Sequence, residues 1–322
     1  MLIQEEFLNK TNQLIAKKLS DSCPRYFLSA AEKKLKEVGN YISVEGEAKR
    51  IRPLVCFAYQ SLFTSNIDER VVKIAASCEL IHCASLLHDD VVDNADKRRG
   101  KKSANIVYGN SISILTGNYL LTLAFELLES LDPEIINKAI LVLKDMSIAC
   151  MMEIDARGKL DVNNNYWQEI ALKKTAALFA WCGFSIAFLL GNKEDINRLI
   201  KLSNHVGLIF QMLDDIKDFN KDNNNKVYCN DLKNHDLSLP IIIAAQKNLD
   251  NYAILKQAFL KENLLIEEIE LLKKIVINSG SVVEIKKIIN KEILCVNNII
   301  NHYENSLGKN YIKSIIENLN SA

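Results

Sequence analysis

The sequence predicts an all-α protein, and three observations favour that fold class. The chain has 322 residues, enough for a large core, but only 11 Gly and 4 Pro to interrupt helices. Apolar residues recur at helical spacing along most of the chain, and alternating strand-like segments are absent. No linker rich in Ser, Gly or Pro divides the sequence. We therefore predict a single helical domain, with the boundaries 1–322.

Five long helices are predicted in the first two thirds of the chain. Asp132 precedes Pro133, as an N-cap precedes a first-turn proline. Gly191-Asn192 suits a helix end, because both residue types tolerate left-handed geometry. The last third, from Asn248, has amphipathic helical patterning without an evident site, and we interpret it as scaffold. The five predicted ranges are 71–93, 112–131, 132–156, 166–190 and 195–219.

The composition argues against several classes of function. Forty basic residues balance forty acidic ones, so that no global field draws the chain to nucleic acid. Eight cysteines are scattered without a C-x-x-C, which favours buried thiols in a reducing compartment over disulfides or zinc ligands. The first residues are acidic and mixed, unlike a signal peptide, and no charge-free apolar run reaches about 18 residues. We expect a cytoplasmic protein without a membrane span.

Two acidic motifs of the form D-D-x-x-D, at residues 89–93 and 214–218, are the strongest functional signal. Each lies in an apolar helical segment, where carboxylates are costly to remove from water. On a helix, the first and third aspartates of each motif share a face. Two such faces opposed across a cavity would repel one another unless divalent cations lay between them. Mg²⁺ suits this pattern, since it takes few protein carboxylates together with substrate phosphate oxygens.

Basic residues near the first motif indicate an anionic ligand. Arg98-Arg99 follows the motif, and Lys49 and Arg52 share a helix face upstream. His82 precedes Asp89 by about two helical turns. The basic residues could instead be an ordinary solvated surface, and His82 could be an ordinary core histidine. His88-Asp89 also looks like the metal dyad of HD-type phosphohydrolases, but the other histidines (205, 235 and 302) lie in no matching arrangement.

These segments together resemble the trans-isoprenyl diphosphate synthases of the polyprenyl synthetase family. The run from Glu79 to Asp96, followed by Arg98-Arg99-Gly100, is similar to the family's first aspartate-rich region, and Phe210 to Asp218 to its second. Further similar segments are Lys49-Arg50-Ile51-Arg52-Pro53, Lys174-Thr175, and Asp231-Leu232 through Leu239-Pro240. They come in the family's order over roughly residues 40 to 245.

The resemblance implies the isoprenoid synthase fold, a helical bundle around a deep central cavity, and usually a homodimer. It implies head-to-tail (1'-4) condensation of isopentenyl diphosphate onto an allylic diphosphate, such as farnesyl or geranylgeranyl diphosphate. About three Mg²⁺ ions would bind the allylic diphosphate and stabilise it as a leaving group. The allylic carbocation that forms would need protection from water.

The resemblance also implies a role for each matching residue. The metal face would comprise Asp89, Asp90, Asp93, Asp214, Asp215 and Asp218, of which Asp89, Asp93 and Asp214 are the expected direct ligands. The allylic diphosphate would be held by Arg98, Lys174 and Lys226. The isopentenyl diphosphate would be held by Lys49, Arg52, His82 and Arg99. Catalysis would involve Lys174, with Thr175 and Gln211 placing oxygens near the cation.

Ala84 and Ser85 bear on product length. They lie about one turn deeper than Asp89 on the same helix, where short-chain members often have aromatic rings. Both side chains are small, which resembles bacterial long-chain synthases, of the hexaprenyl to decaprenyl kind, whose products serve respiratory quinones. The other interpretation of these small residues is ordinary helix packing. Leu121 or Phe125 on the next helix is expected to contribute to the floor of the cavity.

Several positions depart from the family pattern. Glu47 and Ala48 stand where glycines are expected before Lys49, and Asn118 where the family often has Asp. Asn225 and His235 occupy usual glycine positions, and Asp236 stands where a lysine often helps to hold the allylic diphosphate. These departures keep a weakly active or non-catalytic subunit of a heteromeric synthase as one alternative. A terpene cyclase is another, although cyclases usually replace the second aspartate motif.

Overall fold

The computed structural model describes residues 2–21, 30–43, 49–219, 229–303 and 306–321. The predicted all-α fold class is confirmed, because helices make up nearly all of the regular structure in these ranges. The first seven helices are α1 Leu2–Asp21, α2 Ala30–Ser43, α3 Ile51–Gln60, α4 Glu69–Val92, α5 Ala104–Tyr108, α6 Asn110–Leu128 and α7 Pro133–Ala156. The next five are α8 Asn164–Ala171, α9 Ala177–Leu189, α10 Ile196–Lys217, α11 Asn230–Lys233 and α12 Leu239–Lys247. The last four are α13 Leu249–Phe259, α14 Ile266–Asn278, α15 Ser281–Ile300 and α16 Leu307–Ser321.

The chain divides into two compact units. Unit 1 comprises residues 1–139, 182–196 and 305–315, and unit 2 comprises residues 140–181, 197–304 and 316–322. The first aspartate motif belongs to unit 1 and the second to unit 2. The prediction of one synthase domain over the whole chain stays a prediction.

The helix ends follow the terminal signals of the sequence. Asp132 Oδ1 accepts a hydrogen bond from the backbone N–H of Glu134 at 2.9 Å, which confirms the cap predicted before Pro133. Gly191 has a φ of 76° just after α9, as expected for a helix end. The cap of α4, Asp68, was not predicted; its side chain accepts from the Arg70 N–H at 2.8 Å.

A short β-hairpin follows the first motif. Strand β1, Lys97–Arg98, pairs with strand β2, Lys101–Lys102, in antiparallel register. Arg99 and Gly100 between them have φ values of 50° and 79°, as a two-residue hairpin turn requires. The strands are too short to show a periodic pattern, so the sequence contains no strand signal there. The hairpin fixes the direction of Arg98.

A second departure lies within the helix predicted over 166–190. Residues Leu172–Ala176 form a π-helical turn between α8 and α9. Such turns are rare and are frequent at functional sites. The turn contains Lys174-Thr175, one of the segments that carry the family resemblance. Hydrophobic periodicity does not distinguish a π turn from the surrounding α-helix, so it was not predicted.

Helix α4 runs through the core of unit 1. Its central residues are almost wholly buried, and Ser77 Oγ donates to the Ala124 carbonyl on α6 at 3.0 Å. The thiols of Cys78 and Cys182 lie 3.3 Å apart in the same core. The seven described cysteines are free, and five of them are buried as predicted. Cys23 lies outside the described residues.

Unit 2 has an apolar core of its own. It includes Phe219 at the end of the second motif, Leu232 of α11, Ile241 of α12 and Val276 of α14. These residues anchor the segments on either side of the second motif. The scaffold role expected for the chain after Asn248 agrees with this packing.

Three helical segments in the described ranges are long and apolar enough to cross a membrane, by length and composition alone: Glu69–Val92, Asn110–Leu128 and Asn164–Leu189. The apolar window of the first is 78% buried inside the protein, which core packing explains. The expectation of no membrane span stays a prediction.

Candidate active site

The first aspartate motif lies at the C-terminal end of α4. Asp89 and Asp93 are half-buried, whereas Asp90 is fully buried. The backbone N–H of Asp93 donates to the Asp89 carbonyl at 2.8 Å and so closes the last turn. The helical geometry puts the first and third aspartates on one accessible face, as the sequence predicted.

The second aspartate of this motif has a different environment. Arg98 Nε donates to Asp90 Oδ1 at 2.7 Å, and Arg98 Nη2 lies 2.6 Å from the same oxygen. Burial raises the pKa of the Asp90 carboxyl, and the Arg98 hydrogen bond and charge oppose that rise. Asp90 Oδ2 is buried and accepts no hydrogen bond within the described part of the chain. Asp90 therefore orients Arg98 and keeps one oxygen for a further cationic partner.

His82 lies among arginines in unit 1. Burial lowers the pKa of His82 well below its usual range, and the positive charges of Arg52, Arg99, Arg98 and Arg50 lower it further. The imidazole is therefore neutral near pH 7. The structure thus brings together His82, Arg52, Arg98 and Arg99, four residues predicted to bind diphosphate groups. A neutral hydrogen-bonding ring among guanidinium groups suits a polyanionic ligand.

Arg50 is a structural residue that sequence reasoning missed. It has a φ of 50°, its Nη1 donates to Glu79 Oε1 at 2.7 Å, and its Nη2 donates to the Ser43 carbonyl. The arginine and glutamate side chains are only 11% and 2% exposed. This buried ion pair ties the start of α3 to α4, so that Arg52 is held near His82. A glutamate inside the apolar stripe of α4 was the signal that could have revealed it.

Five positions that the sequence places near the diphosphate sites are exposed or lie outside the described ranges. Lys49 is exposed beside the start of α3. Glu47, Ala48, Asn225 and Lys226 lie outside the described residues. The roles predicted for Lys49 and Lys226 stay predictions.

The second motif ends α10 in unit 2. Asp214 is 57% exposed, and Lys217 Nζ lies 2.9 Å from its Oδ1. Asp218 Oδ2 accepts from the backbone N–H of Asn230 at 2.9 Å. Burial raises the pKa of Asp218, and the nearby Asp214 charge adds to that rise. Asp214 is thus the most exposed carboxylate of this motif, and its role as a direct metal ligand stays a prediction.

Asp215 is buried and accepts three N–H donors. Its Oδ2 accepts from Trp167 Nε1 at 2.8 Å and from the Leu239 N–H at 3.0 Å. Its Oδ1 accepts from Gln211 Nε2 at 2.8 Å. Burial raises the pKa of Asp215 to about 7, although the Leu239 and Gln211 hydrogen bonds oppose the rise. The resemblance assigns Asp215 to the metal face, and that role stays a prediction; in the structure both of its oxygens accept hydrogen bonds from protein donors.

The proposed catalytic pair is in contact. Thr175 Oγ1 donates to Gln211 Oε1 at 2.6 Å, so that Asp215, Gln211 and Thr175 form one hydrogen-bonded chain. Lys174, next to Thr175 in the π turn, forms an ion pair with Glu153 of α7. The family resemblance assigns roles to Lys174, Thr175, Gln211 and Asp215, but none to Glu153.

Two of the departures from the family pattern have a local explanation. His235 has a φ of 58°, the left-handed conformation that makes glycine usual there, and its ring lies 4.9 Å from that of Phe259. Asp236 Oδ1 accepts from Arg157 Nε at 2.7 Å, so that this unexpected carboxylate has a cationic partner. Asn118 is exposed on α6.

A fourth acid, Asp231, lies near the aspartates of the second motif, and no role is predicted for it from the sequence. Burial and the charges of Asp218 and Asp215 raise the pKa of Asp231 well above its usual range. The surroundings of the second motif therefore contain one more carboxyl with a raised pKa, in addition to its aspartates.

His88 points away from a phosphohydrolase arrangement. Its Nε2 lies 3.3 Å from the Ile114 carbonyl, and its ring fills the space where a side chain at Gly117 would be. Among the described residues, no group of three or more His, Cys, Asp or Glu side chains is arranged to hold a metal ion. The observed contacts of His88 are with α6.

The residues predicted to set chain length lie in the core of unit 1. Ala84 is fully buried, and Ser85 Oγ donates to the His82 carbonyl at 2.9 Å. Leu121 and Phe125 line a pocket of about 480 Å³ that is open to solvent, together with Ile136 of α7 and the exposed Thr122, Glu126 and Glu129. The structure thus puts small residues below Asp89, and the expectation that Leu121 or Phe125 forms the floor of a cavity stays a prediction.

The side chains of both motifs fit Mg²⁺. Asp89 and Asp93 in unit 1 and Asp214 in unit 2 are accessible carboxylates, and Asp90 offers a buried oxygen to which no described residue donates a hydrogen bond. Oxygen ligands of this kind, few from each element, suit an ion that completes its shell with water and phosphate.

Comparison with known proteins gives the family. A model described as Polyprenyl synthetase matches residues 32–276. The octaprenyl diphosphate synthase of Escherichia coli is 32% identical over 248 residues, which cover 74% of this chain and 75% of that protein. A short chain isoprenyl diphosphate synthase of Methanocaldococcus jannaschii is 33% identical over 240 residues, 70% of this chain and 72% of that protein.

The fold agrees with this family. The crystal structure of heptaprenyl diphosphate synthase from Staphylococcus aureus matches with a TM-score of 0.88 at 25% identity, covering 99% of this chain and 98% of that chain. The predicted isoprenoid synthase fold and the resemblance that suggested it are both confirmed. The chain therefore belongs to the polyprenyl synthetase family, and it is a trans-prenyltransferase that makes polyprenyl diphosphates from isoprenyl diphosphate substrates.

Proposed function

We propose that the chain is a Mg²⁺-dependent long-chain synthase that extends farnesyl or geranylgeranyl diphosphate with isopentenyl diphosphate to a hexaprenyl to decaprenyl product. The observation that carries the proposal is the neighbourhood of Asp89, where an accessible carboxylate face adjoins the arginines around His82 and small residues lie one turn below. A quinone side chain is the proposed use of the product. We propose a cytoplasmic homodimer as the working form.

By family resemblance, the allylic diphosphate would be held by metal ions and by cationic side chains. Asp89, Asp93 and Asp214 would hold the ions, and Arg98 and Lys174 would contact the phosphates. Bound Mg²⁺, about three ions by family analogy, would neutralise the charge that develops on the leaving diphosphate. The Asp90 carboxylate binds Arg98 through Nε and Nη2, which fixes the plane of the guanidinium for contact with an anion.

The isopentenyl diphosphate would bind the basic cluster of Lys49, Arg52 and Arg99 together with His82. Arg52 is only 8% exposed, so its charge acts in a poorly solvated environment and is little screened by water. The lowered pKa of His82 keeps the ring neutral, which lets it offer both a donor and an acceptor. This cluster would position the second substrate, and His82 would contribute hydrogen bonds to it without a positive charge.

Ionisation of the allylic substrate leaves a carbocation that must be stabilised and kept dry. Thr175 donates to Gln211 Oε1, so the lone pairs of the Thr175 hydroxyl oxygen can point toward a developing cation. Gln211 is fixed at its other end by Asp215. The oxygens are therefore held in place before the reaction. The final proton would leave with the diphosphate, so that no protein base is needed.

The growing tail would extend past Ala84 and Ser85 toward the inner end of α4. Relatives named as octaprenyl and short chain synthases have similar identity to the chain, so that the overall likeness does not determine product length. The small side chains at these two positions favour the long product. The other interpretation, packing alone, predicts no effect of a larger residue on product length.

A direct test of the activity is diphosphate release by the purified chain with Mg²⁺, farnesyl diphosphate and isopentenyl diphosphate. D89A should lower kcat by about a thousandfold, since a metal ligand that supports charge development in the transition state is lost. D250N, an exposed acid on α13, is the matched control and should retain full activity. Near-normal turnover by D89A would remove the proposed metal role. Activity that appears only with a partner chain would favour the heteromeric alternative.

A further inference from the structure

The ion pair between Arg157 and Asp236 has no part in the site described so far. Arg157 follows the last residue of α7, and Asp236 lies between α11 and α12. Arg157 Nε donates to Asp236 Oδ1 at 2.7 Å, and the two side chains are 27% and 30% exposed. Position 236 carries an acid in this sequence, and Arg157 brings a positive charge beside that acid.

Contacts on the side of α7 place Arg157 near Lys174. Glu153 is four residues before Arg157, so the two are about one helical turn apart. Glu153 forms an ion pair with Lys174, which the proposed function assigns to the allylic diphosphate. Arg157 therefore lies about one turn along the chain from the residue that pairs with Lys174.

Contacts on the other side place Asp236 near the second motif. The backbone N–H of Leu239 donates to Asp215 Oδ2 at 3.0 Å, so residues 236–239 run past that carboxylate. The N–H of Asp236 donates to the Asp231 carbonyl at 2.8 Å, and Asp231 lies beside Asp218. Asp236 thus holds the Arg157 guanidinium close to the second motif.

The geometry repeats an arrangement seen in unit 1. Arg98, proposed to bind the allylic diphosphate, also donates through Nε to one oxygen of an aspartate at 2.7 Å. A carboxylate bound at Nε fixes the plane of the guanidinium, and the guanidinium fork matches phosphate oxygens. Both arginines are partly exposed, so a solvent-borne anion can reach them.

We propose that Arg157, positioned by Asp236, is a further ligand of the allylic diphosphate beside Lys174. The inference rests on the proposed function, since it takes Lys174 to mark the allylic diphosphate site. It assigns a binding role to a residue outside the family motifs and explains how the chain tolerates an acid at position 236. A purely structural ion pair at this exposure would contribute little to stability.

The test measures binding of inorganic diphosphate with Mg²⁺ by calorimetry and the KM for farnesyl diphosphate. R157Q should weaken diphosphate binding and raise that KM about tenfold, the equivalent of one charge-assisted contact. The KM for isopentenyl diphosphate and the thermal midpoint should stay unchanged. R157K retains the charge and should recover most of the affinity. K173Q is the control. Lys173 lies beside Lys174 in the π turn and pairs with Glu169 of α8, so this variant should bind diphosphate as tightly as wild type.

The double variant R157Q/D236K supplies a cation from the opposite side of the pair. It should bind diphosphate more tightly than R157Q if the two positions share a ligand. Unchanged diphosphate affinity in R157Q, or no recovery in the double variant, would overturn the proposal. Failure of the proposed function gives a different pattern: K174Q would then bind diphosphate as tightly as wild type. Loss of affinity in K174Q with none in R157Q would overturn only the role of Arg157.

Discussion

Trp167 donates its indole N–H to Asp215 Oδ2 at 2.8 Å, in a buried part of unit 2. The same carboxylate fixes Gln211, which in turn accepts from Thr175. Asp90 has the corresponding position in the first motif and fixes Arg98. In each motif the first aspartate is accessible, and the second is buried and orients a neighbouring functional side chain.

Replacing Trp167 should therefore affect the chemical step more than substrate binding. W167F keeps the aromatic packing but removes a donor from a buried carboxylate, at a cost of about 1–3 kcal/mol in unfolding free energy. We expect kcat to fall about tenfold, because Gln211 and Thr175 lose their fixed orientation, with both KM values nearly unchanged. W181F changes the other tryptophan, which is buried in the core, and is the control. A W167F enzyme whose kcat matches that of W181F would contradict this role of Trp167.

Asp215 should give the metal-free protein a distinctive pH dependence. Its folded pKa of about 7 lies above the unfolded value of 3.8, so the folded state binds the extra proton between those values. The stability from this group is present below about pH 4 and is lost as the pH rises toward 7, by up to about 4 kcal/mol. D215N should flatten this part of the curve. The measurement is denaturant unfolding in EDTA from pH 5 to 8, and parallel curves for both proteins would contradict the prediction.

Close packing at Gly207 should be needed for the π turn that carries Lys174 and Thr175. A Cβ at Gly207 would lie 2.5 Å from both Cα and Cβ of Ala176, where backbone cannot yield easily. We expect G207A to lose about 1–3 kcal/mol of stability, or more, together with most of its activity.

Gly39 provides the matched control for Gly207. A Cβ there would lie 2.8 Å from Leu19 Cδ2, the end of a flexible side chain, so G39A should change stability by less than about 1 kcal/mol. Thermal unfolding of both variants decides the matter. Equal destabilisation by the two substitutions would show that the Ala176 contact is unimportant.

Enlarging Ala84 should shorten the product. Ala84 is fully buried on α4, and A84F would put a ring across the proposed path of the tail. We expect product a few isoprene units long, formed with near-normal consumption of the allylic primer. A76F, a matched change at a buried alanine two turns earlier on α4, tests whether overpacking alone alters the product. Identical product distributions for A84F and wild type would rule out the path.

The sequence carried the fold class and most of the candidate site, because both depend on periodicity and local spacing. The helix faces of Asp89 and Asp214 and the Asp132 cap follow from such patterns. Three features that orient side chains did not: the hairpin of Arg98, the π turn of Thr175, and the Arg50–Glu79 pair. Each depends on backbone geometry or on partners distant in sequence, which hydrophobic patterning does not encode.

The sequence also could not predict that the two adjacent aspartates of each motif have different surroundings. Adjacent residues of one type gave no reason to assign Asp90 and Asp215 different surroundings from Asp89 and Asp214. The indole of Trp167, 48 residues before Asp215, supplies part of that difference. The cation at Asp236 likewise comes from Arg157, 79 residues earlier.

Product length tests the central proposal most directly. The purified chain is incubated with Mg²⁺, farnesyl diphosphate and excess isopentenyl diphosphate, and the dephosphorylated product is separated by chromatography against prenyl alcohol standards. We expect a distribution in the hexaprenyl to decaprenyl range. A product no longer than geranylgeranyl diphosphate, or no diphosphate released from any allylic primer, would contradict the assignment as a long-chain synthase.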